Sequence, residues 1–294
     1  MNKQLKADLL LIMVTLYWGS SFIITKSELN NISAFNLISL RFIIAFALSS
    51  AIFYKNLSKI NLKTIKYGFI LGLALFAMFA VMTLGLNYTS ASNAGFLSSL
   101  AVIVVPILST VVFKQHLAKR LILSVCMALV GIGLLTLNDN LSFNLGDILC
   151  ITGALLCAIH IMITEKLTKQ VDSISLGIVQ FGFVGLFSTI TTFIWEKPIL
   201  PQTTMSWVSV ILLAIFCTAI GYMVQTIAQK YTTATHTGLI FGLEPISAAV
   251  SAYLFAGEVL STKGYIGAAI LLSALFIAEI NPNIFRSKKL IYNN

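Results

Sequence analysis

Charge is scarce in this chain. Only 10% of its 294 residues are Asp, Glu, Lys or Arg, against about 25% in soluble domains, while 58% are hydrophobic. That balance excludes a soluble catalytic domain, as do the short loops and the lack of any polar block of domain size or low-complexity linker. Acidic residues are the rarer sign, 10 against 19 Lys and Arg. The four cysteines, Cys126, Cys150, Cys157 and Cys217, all fall in apolar runs without metal-ligand spacing, so neither a metal site nor a secreted disulfide framework is expected. They read as packing residues. There is no HExxH pair, no cluster of acids and no Walker-type glycine-rich loop. No cofactor is expected, and the chain does not read as an enzyme.

What the chain has instead is long apolar runs. They recur at about 9–25, 34–54, 67–86, 94–113, 121–137, 147–165, 174–195, 207–228, 238–256 and 264–281, close to the roughly 17–25 residues that cross a bilayer as helix. The first follows Lys3 and Lys6, but YWGSS offers no convincing cleavage site, so it reads as a retained helix rather than a signal peptide. The formal net charge of +9 is explained by where the cations fall. Lys3, Lys6, Lys55, Lys59, Lys63, Lys66, Lys114, Lys119, Arg120, Lys166, Lys169, Lys230, Arg286, Lys288 and Lys289 fall on one side, and only Lys26, Lys197 and Lys263 on the other. Such asymmetry predicts both termini in the cytoplasm and the loops around 26–33 and 138–146 outside. The basic balance therefore reads as topology, with the lipid bilayer as partner and no nucleic acid. The expected location is the plasma membrane.

The two halves of the sequence resemble each other. At an offset of 139, Asp8 falls on Asp147, Leu16 on Leu155, Thr25 on Thr164, and Arg41-Phe42 on Gln180-Phe181. At 143, Tyr88-Thr89 falls on Tyr231-Thr232, Ala91 on Ala234, Gly95 on Gly238 and Leu117 on Leu260. Four residues added around the eighth run reconcile the offsets. The expected fold is an all-α polytopic membrane protein of ten transmembrane helices, built as two five-helix repeats over 1–140 and 141–294. An odd number of spans per repeat inverts the second copy in the membrane. Inverted repeats are a transporter architecture whose site lies near the midplane and whose access alternates by rocking.

Three stretches carry a family resemblance: LYWGSSFIITK, YTSASNAGFLSSLAVIVVP and QTIAQKYTTATHTGLIFGLEPISAAVSAYLFAGEVLS. They resemble the EamA-type branch of the drug/metabolite transporter superfamily, over nearly the whole chain. The resemblance implies a ten-helix carrier that moves small metabolites, commonly amino acids or related compounds, around a central cavity. Two positions depart from the family pattern: Cys157 stands where many relatives have Trp, and Gln115 where the first repeat often has Glu.

Several residues could serve such a cavity. Glu244 lies about 9 Å inside its run at 1.5 Å per residue, where a carboxylate marks an ion or substrate path. It reads as a cation site or proton-titrating group, or else as a brace beside Pro245; the first half has Ala101-Val102 at these positions. Arg41, near mid-span with no acid one turn away, reads either as a ligand for a substrate carboxylate or as a structural lock. Trp18 sits about ten residues deep, suited to stacking or cation-π binding. Ser21, Phe76, Phe79, His160, Tyr222 and Gln225 complete the candidate substrate-binding set, although packing competes as an account of His160. Gln229 shares a helical face with Gln225 and is expected to cap; Gly68 and Gly72 are expected at a helix contact; His236 receives no role. The expected activity is secondary transport of a small-molecule metabolite by alternating access, with export as the direction. Organic-phosphate or nucleotide-sugar carriage is the alternative, followed by a channel or structural membrane protein. The sequence specifies neither solute nor oligomeric state.

Overall fold

Helices that are apolar on every side have no single face to bury, so they pack together and give their remaining surface to lipid, where each backbone polar group must be satisfied within its own helix. The computed structural model describes residues 3–112, 119–136 and 144–279, all without a strand. The expectations for Lys114, Gln115, Leu117, Arg286, Lys288, Lys289 and the loop over 138–143 lie outside the described residues, as do those for the side chains of Arg120 and His236. The first half contributes α1 (Lys3–Glu28), α2 (Ala34–Ile52), α3 (Tyr54–Leu57), α4 (Leu62–Gly85), α5 (Ala91–Ser98), α6 (Ala101–Val112) and α7 (Lys119–Thr136). The second contributes α8 (Leu145–Thr168), α9 (Ser173–Trp195), α10 (Thr204–Leu212), a π-helical segment (Leu213–Ile220), α11 (Gly221–Ala228), α12 (Ala234–Phe241), α13 (Glu244–Ala256) and α14 (Thr262–Glu279).

Seven stretches among the described residues are long and apolar enough to cross a membrane: Lys3–Glu28, Ala34–Ile52, Leu62–Gly85, Ala91–Leu108, Leu145–Thr168, Ser173–Trp195 and Thr204–Ala228. Side chains cap several of these starts. The side chain of Asn61 accepts from the Thr64 N–H (2.9 Å), Ser90 from Asn93 (3.0 Å), Asp172 from Ser175 (3.0 Å) and Thr203 from Ser206 (3.1 Å), each satisfying an N-terminal donor that the helix leaves free.

Two of the apolar runs are interrupted. The first breaks at Ser99-Leu100, between α5 and α6, and the other at Gly242-Leu243, between α12 and α13. The breaks fall 143 residues apart, the same offset that separates the end of α4 from the end of α11 and the start of α5 from the start of α12. Pro245 follows the second break and occupies the first turn of α13, where a missing N–H costs nothing. The first break has no proline, so proline is not what the break requires.

α4 packs against α8 and α9, α2 against α9 and the π-helical segment, α1 against α11 and α13, and α7 against α14. One end of the bundle is tied by Glu196, whose two oxygens accept the N–H groups of Phe35 (3.1 Å) and Asn36 (2.9 Å), and by Glu258, which does the same for Ala91 (3.2 Å) and Ser92 (3.1 Å). The opposite end is tied by Asp172, which accepts from the Asn56 amide at 2.9 Å, and by Glu165, which accepts the Ala234 N–H at 2.8 Å. These are called below the Glu258 face and the Asp172 face. Two further bonds link the halves in matched fashion: Thr89 donates to Asp147 at 2.6 Å near the first face, and Thr232 donates to Asp8 at 3.1 Å near the second.

Candidate functional site

The breaks and the π-helical segment meet around a cavity of about 70 Å³, which lies mid-span and extends toward the Glu258 face. α1 contributes Trp18, Ser21, Phe22 and Thr25; α2 contributes Arg41; α4 contributes Met78, Phe79, Met82 and Thr83, with Leu86 just beyond its end. Ser98, Cys157, Cys217, Tyr222, Phe241 and Glu244 close the remaining sides.

Trp18 forms one wall. Its ring lies 4.7 Å from that of Tyr222 and meets Phe241 edge-on at 4.9 Å, and its Nε1–H donates to the Cys217 carbonyl at 2.8 Å. That carbonyl belongs to the π-helical segment, a wider coil often found at functional positions. The neighbouring Thr218 hydroxyl bonds back to the carbonyl of Leu213, five residues earlier, at 2.9 Å. Gly221 is bare because a Cβ there would stand 2.5 Å from the indole nitrogen. Gly19 is bare for a similar reason, since a Cβ would run into Ser247 and the backbone of Ala248 where α1 crosses α13.

Arg41 is 3% exposed and has no ion pair among the described residues, unlike Lys59, which pairs with Asp172, and Lys169, which pairs with Glu165. Its Nε donates to the Thr218 hydroxyl at 3.2 Å and one terminal nitrogen to Thr25 at 3.4 Å, while the guanidinium lies 5.0 Å from the Phe79 ring centre. Neutral hydroxyls and an aromatic face hold this cation, not backbone carbonyls. A guanidinium has five N–H donors, so two hydroxyls leave capacity for an anion. Glu244 begins α13, and its carboxylate lines the same cavity with no hydrogen bond or ion pair among the described residues. The partial positive charge at the start of a helix favours an anion there. The polar brace expected beside Pro245 is therefore not formed by Glu244. The two charges share one space without pairing with each other.

Of the residues singled out in the sequence, Trp18, Ser21, Arg41, Phe79, Tyr222 and Glu244 line this cavity together. Ser21 donates to the Trp18 carbonyl at 2.7 Å. Phe76 does not line it; it packs 5.8 Å from Phe187 and 6.3 Å from Phe35. His160 sits behind Tyr222, ring to ring at 6.1 Å, with Nε2 at 3.4 Å from the Gln180 oxygen. Gln225 lies deeper toward the Asp172 face and donates to Gln229 at 3.0 Å. Sequence reasoning passed over Thr25, Thr83, Ser98 and Phe241. It also read Cys157 and Cys217 only as packing residues. A signal existed for two of these: Ser98 and Phe241 are 143 residues apart, the offset of the halves. No group of three or more His, Cys, Asp or Glu suited to a metal occurs among the described residues.

Comparison with known proteins gives one consistent answer. The profile of the EamA-like transporter family matches twice, over residues 5–137 and 144–279. An uncharacterized transporter of Archaeoglobus fulgidus is 32% identical over 279 residues, covering 95% of this chain and 87% of the relative. The uncharacterized transporter YyaM of Bacillus subtilis is 24% identical over 294 residues, covering 94% of each. A solved crystal structure superposes with a TM-score of 0.70 at 16% identity, over 93% of this chain and 96% of the other, a likeness of fold.

Proposed function

Because this chain belongs to the EamA-like transporter family, we propose that the membrane transporter it forms is a secondary carrier for small polar or amphipathic metabolites, such as amino acids or related compounds. The observation that carries this reading is that a guanidinium, Arg41, and a carboxyl group, Glu244, line one buried cavity with neither in an ion pair among the described residues. A solute with a carboxylate at one end and an ammonium at the other satisfies both. Arg41 binds the carboxylate through charge-assisted hydrogen bonds, Glu244 takes the ammonium, and Trp18, Phe79 and Tyr222 supply aromatic surface for an apolar side chain or a cation.

The carrier works by alternating access between two inverted halves, 1–140 and 141–294, of five spans each. Support comes from the matched helix breaks and from the matched bonds Thr89–Asp147 and Thr232–Asp8. On this reading the Asp172 face and both termini are cytoplasmic, the membrane is the plasma membrane, and export is the net direction. Organic phosphates and nucleotide sugars suit the cavity less well, because Arg41 is the single cation lining it among the described residues and a phosphate dianion calls for more.

A thermal-shift screen of the purified carrier against a metabolite panel tests the reading. A ligand that binds only the folded state at a hundred times its Kd stabilises it by about 2.7 kcal/mol. Stabilisation by amino acids, lost in Arg41→Gln, is the expected result. Stabilisation by sugar phosphates alone would favour the alternative.

A further inference from the structure

A trough runs along an exposed side of α9, away from the central cavity. Ile178, Gly182, Gly185 and Leu186 of α9 form its floor, and Ile43 and Phe46 of α2 form one wall. The part nearer the Asp172 face has a volume of about 310 Å³ and the deeper part about 260 Å³; Phe46, Gly182 and Leu186 line both, so the two are continuous. The glycines make the depth. A Cβ on Gly182 would stand 3.1 Å from the Phe46 ring, and one on Gly185 would stand 3.4 Å from Ile43. At an offset of 139 Ile43 is the counterpart of Gly182, and Phe46 of Gly185. The two contacts are therefore equivalent, yet all the bulk in them comes from α2, and α9 is recessed where α2 is not.

The trough has a basic end and an apolar end. At the Asp172 face it opens beside Leu57, Ile60 and Ile65. The chain from Phe53 to Phe69, which carries these residues, has four lysines, Lys55, Lys59, Lys63 and Lys66, and no acid, and all four are exposed. The Lys59 ammonium lies 3.9 Å from one oxygen of Asp172, beyond hydrogen-bond reach, while the other oxygen accepts from Asn56 and Ser175. Lys63 meets the face of the Tyr67 ring at 5.5 Å. At the deep end the Thr189 hydroxyl donates to the Gly185 carbonyl at 2.6 Å and lies 2.7 Å from the Ser39 hydroxyl, so it is satisfied within the protein. From Ile178 to Thr189, α9 rises about 16 Å at 1.5 Å per residue. That is close to half of a roughly 30 Å hydrocarbon core, the depth of one leaflet.

We infer that this trough is a binding site for one anionic phospholipid from the leaflet on the Asp172 side, with an acyl chain lying along α9 over Gly182 and Gly185 and the phosphate held at Lys59 and Lys63. The inference needs only the membrane-spanning fold and not the solute proposed above. Charge selects the headgroup. A lysine close to an anionic headgroup is worth about a fivefold gain in affinity, whereas a choline headgroup brings an ammonium that the lysines repel. A second copy of the chain docked here in the same orientation would bring its own lysines to the same level, so charge favours a lipid over a dimer. Because Phe46 and Ile65 belong to the first half and Gly182 and Leu186 to the second, the lipid joins the halves on this side.

The full chain is reconstituted in phosphatidylcholine liposomes with a trace of phosphatidylglycerol that carries a photoactivatable diazirine in one acyl chain, and cross-linked peptides are identified by mass spectrometry. The expected result is cross-linking concentrated on residues 43–46 and 178–189, at least about fivefold stronger than from a phosphatidylcholine probe with the same chains. Lys59→Gln/Lys63→Gln should bring the two probes to the same level. Leu186→Trp, which fills the trough from an exposed position, should lower labelling there by both. Helix content of each variant is checked by circular dichroism, and the two variants are independent, so loss of folding in one leaves the other. Equal labelling of the wild type by both probes, or labelling spread evenly over other exposed helix surfaces such as those of α7 and α14, would overturn the site and reduce it to ordinary bilayer contact. A disulfide joining two chains through Leu186→Cys in the same liposomes would assign the trough to a second copy instead.

Discussion

Trp18 of α1 donates its indole N–H to the backbone carbonyl of Cys217, 199 residues away in sequence, at 2.8 Å. The bond fixes a cavity wall to the π-helical segment, and it depends on Gly221, which leaves room for the indole nitrogen. Gly221→Ala is expected to displace the ring and to cost about 1–3 kcal/mol, the range for overpacking a filled interior. A lower melting temperature together with reduced flux is the expected outcome. Unchanged values of both would mean that the wall is not held in this way.

Glu244 lines the cavity without a hydrogen-bonding partner among the described residues, so no bond within the protein blocks proton exchange at its carboxyl group. If it exchanges a proton in the cycle, flux varies across the neutral pH range and Glu244→Gln flattens that profile while exchange persists. A Glu244→Gln profile identical to wild type in height and shape would exclude proton coupling through this residue.

Asp172 ties the residues after α2 to the start of α9. Partial burial pushes its pKa up, but the N–H and hydroxyl of Ser175, the amide of Asn56 and the nearby Lys59 ammonium outweigh that and hold it below its ordinary value. A depressed folded pKa adds stability above the unfolded value, about 3.9 for Asp, and that stability is lost as pH falls through the folded value. Asp172→Asn should therefore lower the melting temperature at neutral pH, and the gap from wild type should shrink below about pH 4. A gap that does not change with pH would contradict this account of the carboxylate.

Sidedness is tested with two exposed lysines at opposite ends of the bundle, Lys55 and Lys197. With cytoplasmic termini, Lys197→Cys reacts with an impermeant thiol reagent on intact cells and Lys55→Cys reacts only after permeabilisation. The reverse pattern would invert the orientation.

Helix positions, the offsets of 139 and 143 and the mid-span charges could be read from the sequence because each leaves a mark in residue type or spacing. Arg41 and Glu244 stood out as charges that are costly to place in a bilayer, and Trp18 as an aromatic ring about ten residues deep in its run. The role of Pro245 did not come through, since a proline suggests that it causes a break, whereas the other half breaks at Ser99-Leu100 without one. The π-helical segment was equally hidden: LAIFCTAI has nothing to distinguish it from an α-helix, although it lies in the interval where the offset changes. Phe76 was grouped with the cavity because of the span it lies on, and His160 and Gln225 because of their depth. Depth within a span can be counted from sequence, but which way a side chain faces in an all-apolar helix cannot.

Counterflow in proteoliposomes bears most directly on the central claim, that Arg41, Glu244 and Trp18 line the path of a carrier. Vesicles are loaded with a mixture of unlabelled amino acids and diluted into a trace of the same mixture carrying an isotope. The account predicts a transient accumulation of isotope above equilibrium, saturating with concentration. It should be strongly reduced in Trp18→Ala and Arg41→Gln protein that remains folded in the membrane. Uptake that rises linearly without a transient, or a transient unchanged by both substitutions, would contradict it.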